Sequence, residues 1–95
     1  MGLDVYSSTD KKMQYCLVSL SDSDIRMLEE EISLLKEKTG IYVDPYGTTK
    51  LYPDHGKILL NFIVKNKKNS KNINNLVNII QDHITKNEIL IFEGD

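Results

Sequence analysis

Tryptophan is absent from this 95-residue chain, cysteine and arginine occur once each, and proline occurs twice. The lone Cys16 excludes an intrachain disulfide and a multi-cysteine zinc cluster. It lies between Tyr15 and Leu17 in an apolar run, which predicts a small buried residue rather than a reactive thiol. A single arginine leaves little material for the forked contacts that read bases in a nucleic acid. Long hydrophobic runs are also missing, so no stretch is sized to span a bilayer. Met1-Gly2-Leu3-Asp4 has neither a basic region nor an apolar core, so a secretory signal is not expected. Tyr6 stands where a myristoylation signal needs Ser or Thr. The expected compartment is the reducing cytoplasm.

What is present describes one globular domain, residues 1–95. Hydrophobic residues make up 40% and charged residues 27% of the chain, the balance of a folded rather than a disordered sequence. A domain of this length hides roughly 60–65% of its unfolded surface, so the core is modest. The net charge is -2 but unevenly spread: residues 1–47 hold five basic and nine acidic side chains, and 48–95 hold seven and five.

Residues 3–6 read as a short strand, and 14–20 as a second, with Cys16, Val18 and Leu20 on one face. From Ser21 the spacing predicts a helix over 21–39. Ser21 is its N-cap, Asp24 completes a capping box, and Leu20 and Ile25 form a staple. Ile25, Leu28, Ile32 and Leu35 recur as its buried stripe, while Glu29, Glu30, Glu31, Glu37 and the lysines fall mostly on the solvent side. Gly40 is placed to end it in the left-handed conformation.

Ile41-Tyr42-Val43 is a short extended segment, and Asp44-Pro45-Tyr46-Gly47 has the chemistry of a type I turn. Residues 48–51 complete a hairpin or are irregular; the sequence leaves both open. Pro53 and Asp54 suit the first turn of a helix over 53–65, with Ile58, Leu59, Phe62 and Ile63 inward. Ser70 caps a third helix over 71–86, carrying Ile73, Leu76, Val77, Ile80 and Ile84, and Asn87 ends it. His83 falls one step off that stripe and reads as a plain polar flank residue. Residues 88–92 make a well-covered apolar strand. The expected fold is therefore α/β in the α+β sense: two to four strands covered by three amphipathic helices, with 14–20 beside 88–92. Strand direction and oligomeric state are not legible.

No phosphate loop, metal-protease motif, calcium loop or nucleophile elbow occurs. No catalytic, cofactor-binding or metal-binding residue is expected. Tyr52, Asp54 and His55 could run acid/base chemistry, which keeps a small hydrolase as one alternative. Lys65, Lys67, Lys68 and Lys71 make a basic loop without arginine or aromatics, and this keeps a nucleic-acid-binding accessory protein as another. The aromatic distribution points elsewhere. Tyr42, Tyr46 and Tyr52 lie within eleven residues around a proline-fixed turn, and tyrosine offers contact area at low entropic cost. The expected partner-binding set is Tyr42, Asp44, Tyr46, Lys50, Asp54 and His55, joined by Glu30 and Glu37 from the acidic helix.

The opening Met1-Gly2-Leu3-Asp4-Val5-Tyr6 and the stretch from Gly40 to Leu51 (Gly-Ile-Tyr-Val-Asp-Pro-Tyr-Gly-Thr-Thr-Lys-Leu) resemble small bacterial immunity proteins of polymorphic-toxin and contact-dependent growth-inhibition systems. The resemblance covers about a fifth of the chain. It implies a cytoplasmic protein that binds one cognate protein toxin and neutralises it without catalysis, a basic nuclease being one such toxin. Immunity proteins have many unrelated folds, so the resemblance implies a role and no architecture.

Overall fold

The computed structural model describes residues 2–94. Strand β1 (Gly2–Ser7) leads through a ten-residue loop to β2 (Val18–Ser21), which runs straight into helix α1 (Asp22–Met27). Helix α2 (Glu29–Thr39), β3 (Thr48–Leu51), α3 (Pro53–Lys65), α4 (Lys71–Lys86) and β4 (Leu90–Gly94) follow. The strands form one antiparallel sheet in the order β2-β1-β4-β3. The domain is α+β, and its helices lie on one face of this sheet. The sheet's inward residues, Leu3, Val5, Val18, Leu20, Leu51, Leu90 and Phe92, form a single core with the inward residues of the helices.

Local chemistry sets the helix ends. The Ser21 side chain accepts from the Asp24 amide while Asp24 accepts from the Ser21 amide, closing the expected capping box. Gly40 ends α2 at φ 83, Pro53 opens α3, Ser70 caps α4 through the Ile73 amide, and Asn87 ends α4 at φ 56.

Several expectations are corrected. The 14–20 and 88–92 strands share the sheet but are not neighbours: β1 lies between them and pairs with both. β1 and β4 are both inner strands, because Leu3 and Val5 are as apolar as Leu90 and Phe92 and equally buried. The second strand begins only at Val18. Tyr15 and Leu17 are exposed, and so is Cys16, whose thiol donates to the Val18 carbonyl at 3.3 Å. The 21–39 helix divides at Leu28, whose amide is shared between the Asp24 and Ile25 carbonyls, so four helices replace three. Ile41-Tyr42-Val43 is not a strand. Residues 88–92 are covered on one face only, leaving Ile91 half-buried on the other.

Glu31 and His83 are buried rather than solvated. Both obey the helical period. Asp24, Leu28, Glu31 and Leu35 recur at spacings of four, three and four, and Ile73, Leu76, Ile80 and His83 at three, four and three. The Glu31 carboxylate accepts from Asn66 Nδ2 at 2.7 Å and lies 3.9 Å from the Lys68 ammonium. Asp24 accepts from the Ser21 amide and hydroxyl, from Ser70 Oγ at 2.9 Å and from Asn72 Nδ2 at 2.8 Å. Burial works to raise its pKa, but these bonds, led by Asn72 and Ser21, outweigh it and hold the carboxyl below its ordinary value.

Leu28→Ala should cost about 2–4 kcal/mol in a denaturant melt, as for other buried leucines, and Asp24→Ala about 2–3 kcal/mol through lost caps and charged hydrogen bonds. Acid should then weaken the fold in two steps. Burial lowers the His83 pKa from its ordinary value, against the pull of Glu88 and Asp82, and neither ring nitrogen has a hydrogen-bond partner among the described residues. Its contribution is complete above about pH 6.5 and is lost as pH falls through the lowered folded pKa. Asp24 follows below about pH 4, its stabilisation going as pH drops through its own lowered value. Melts of wild type and His83→Leu across this range separate the steps: the variant should lose the upper one and keep the lower.

Candidate functional site

Between α2 and β3 the chain makes a bridged turn. Thr49, buried in β3, donates its hydroxyl to the Tyr42 carbonyl and accepts from the Asp44 amide, both at 3.1 Å. Asp44 accepts from the Tyr46 amide at 2.9 Å, and the Gly47 amide bonds the Asp44 carbonyl at 3.3 Å. Gly94 fastens the turn from the neighbouring strand. Its amide bonds the Gly47 carbonyl at 2.8 Å, and a Cβ there would lie 2.2 Å from the Pro45 carbonyl oxygen.

This turn stands beside the first two helices and leaves a groove between them. Ile25, Arg26 and Pro45 line two adjoining hollows of about 270 and 290 Å3. Glu29, Ile32, Ser33 and Tyr42 complete the first, and Asp22 and Tyr46 the second. Tyr42 is 44% exposed and Tyr46 68% exposed, so two aromatic side chains rim an apolar-floored groove. The Lys36 ammonium sits 4.9 Å from the centre of the Tyr42 ring, which steadies that ring by a cation–π contact.

The expected partner-binding residues divide among several places. Tyr42, Asp44 and Tyr46 come together, although Asp44 spends one carboxylate oxygen on its own turn. Lys50 is exposed on the sheet face away from the helices, beside Ile91. Tyr52, Asp54 and His55 lie beyond the far end of β3, about 13 Å of strand from the turn. There the Tyr52 and His55 rings are 5.9 Å apart, and His55 Nδ1 is buried without a hydrogen-bond partner among the described residues. Glu30 and Glu37 are exposed on α2 without lining the groove. Nothing in the sequence marks Ile25, Arg26, Glu29 and Pro45 as the walls of one groove. No sequence signal places a helix against a turn that follows it by some twenty residues.

A further hollow of about 370 Å3 lies between the end of β1 and α4. Its charged groups are largely engaged: Lys86 pairs with Asp82 at 3.1 Å, and Ser7 Oγ donates to Glu88 at 3.4 Å. The 65–71 loop does not present four free lysines, because Lys68 turns toward the buried Glu31. Among the described residues no group of three or more His, Cys, Asp or Glu is placed to hold a metal ion. Among the described residues no helix is long and apolar enough to cross a membrane. Comparison with protein-family models, curated proteins and solved structures gives no match.

The turn's rigidity is testable. Gly94→Ala should push Pro45 outward and cost about 1–3 kcal/mol, the usual penalty of overpacking. Unchanged stability and unchanged Tyr46 amide chemical shift in that variant would show that the β4 contact does not hold the turn.

Proposed function

We propose that this chain is a cytoplasmic, non-catalytic binding protein that neutralises one cognate protein toxin, in the manner of bacterial immunity proteins. The observation that carries the reading is the groove beside the bridged turn, with exposed Tyr42 and Tyr46 at its rim. An aromatic side chain on a turn already fixed by Thr49, Asp44 and Gly94 loses little freedom on binding, and such anchors dominate measured hot spots. Glu30 and Glu37, exposed on α2, add negative charge near the groove and favour rapid capture of a basic partner. The resemblance in the opening residues and the 40–51 stretch supplies the toxin; the groove supplies only a place to bind a protein.

The test begins with copurification from the native host, followed by expression of the recovered partner alone. The partner should arrest growth by itself and be silenced by co-expression of this chain. Tyr46→Ala should melt like the wild type yet bind about thirtyfold more weakly, the equivalent of about 2 kcal/mol. Recovery of nucleic acid with steep salt dependence, or a partner harmless on its own, would replace this reading.

A further inference from the structure

With the helices on one side of the sheet, its other face is open. Along β1 and β4 the burial alternates, so Asp4, Tyr6, Ile91 and Glu93 point away from the core and remain partly exposed. The strand register sets these residues in two rows. One row crosses the sheet as Ser19, Asp4, Glu93 and Thr48; the next holds Tyr6, Ile91 and Lys50. Asp4 and Glu93 are therefore direct cross-strand partners of like charge, an arrangement that costs a free sheet stability.

Two hydroxyls fix the acids in place. Ser19 Oγ donates to Asp4 at 2.6 Å, and Thr48 Oγ1 donates to Glu93 at 2.8 Å. The ion pairs among the described residues are Lys68–Glu31 and Lys86–Asp82, and neither involves these acids. Tyr6, in the adjoining row, sits in a negative field. Burial raises its hydroxyl pKa first, and Cys16, Asp4, Asp10 and Glu93 raise it further. The face thus combines a half-buried aromatic and an isoleucine with two oriented carboxylates that form no ion pair among the described residues, Lys50 in the adjoining row included.

We infer that this open sheet face is a docking surface for a basic segment of another protein, with one arginine seated between Asp4 and Glu93 against the Tyr6 ring. A guanidinium matches the site because it bonds two carboxylates in one plane while its face stacks on an aromatic ring. Binding also removes the repulsion that the free sheet carries. A second copy of this chain is a poor source of the arginine, since its single one, Arg26, lines the groove on the helical side. The inference does not depend on the partner being a toxin.

The probe is a hexa-arginine peptide titrated into the full-length, isotope-labelled chain, with hexa-lysine and hexa-glutamate peptides as comparisons. Hexa-arginine should shift the amides around Asp4, Tyr6, Ile91 and Glu93 and bind more tightly than hexa-lysine, with affinity falling as salt rises. Asp4→Asn and Glu93→Gln keep the acceptors for Ser19 and Thr48 while removing charge. Together they should weaken peptide binding by at least about tenfold and melt no lower than the wild type. Shifts centred instead on Glu29, Glu30 and Glu37, or equal binding of hexa-lysine, would overturn the assignment. So would a double variant that binds like the wild type, or either single variant melting lower. None of these outcomes requires a toxin, so failure here leaves the neutralisation reading standing, and failure of that reading leaves this surface to be judged by the titration.

Discussion

The Asp24 carboxylate joins two helix N-termini whose caps, Ser21 and Ser70, are 49 residues apart in sequence. It closes the capping box of α1 with Ser21 and receives the hydroxyl of Ser70, the cap of α4, together with the Asn72 amide. Each serine oxygen meanwhile accepts a backbone amide of its own helix. One buried charge thus satisfies donors at both starts and favours the positive end of each helix dipole. Because β2 runs directly into α1, the same contact ties the helical layer to the sheet. Glu31, two turns further along the stripe, repeats the device by taking Asn66 and approaching Lys68. The Asn- and Lys-rich segment after α3 is therefore less an interaction patch than the set of donors that two buried carboxylates require.

That stitched frame explains why the 42–47 turn is a useful place for a binding surface. The turn is held by side chains and backbone from β3 and β4, both of which are anchored in the core by Leu51, Leu90 and Phe92. Tyr46 can project outward because none of the bonds that define the turn uses its ring. A groove lined by Ile25 and Ile32 then follows from packing two helices beside a bend.

The layering is one-sided. Four helices cover one face of a four-stranded sheet, and no second helical layer lies on the other among the described residues. The outer residues of β1, β3 and β4 consequently mix hydroxyls, charges and two larger apolar groups, where a second layer would have demanded a uniformly apolar face.

By itself the sequence determined whatever depends on neighbours a few residues away. The caps at Ser21 and Ser70, the ends at Gly40 and Asn87, the Pro53 start and the Asp44–Gly47 turn all arise from bonds within about five residues, and each stands where the local chemistry placed it. The period also contained more than the residue types suggested, for Asp24, Glu31 and His83 all lie on buried stripes. Tertiary structure decided their burial, since beyond the local Ser21 bonds the donors to Asp24 and Glu31 come from 35 to 48 residues away. It likewise placed β1 between β2 and β4, turned Cys16 outward, and separated Tyr46 from His55. Strand order, groove walls and the facing acids of the open sheet are long-range pairings, and a one-dimensional pattern records the appetite of each segment for burial without recording which segment will satisfy it.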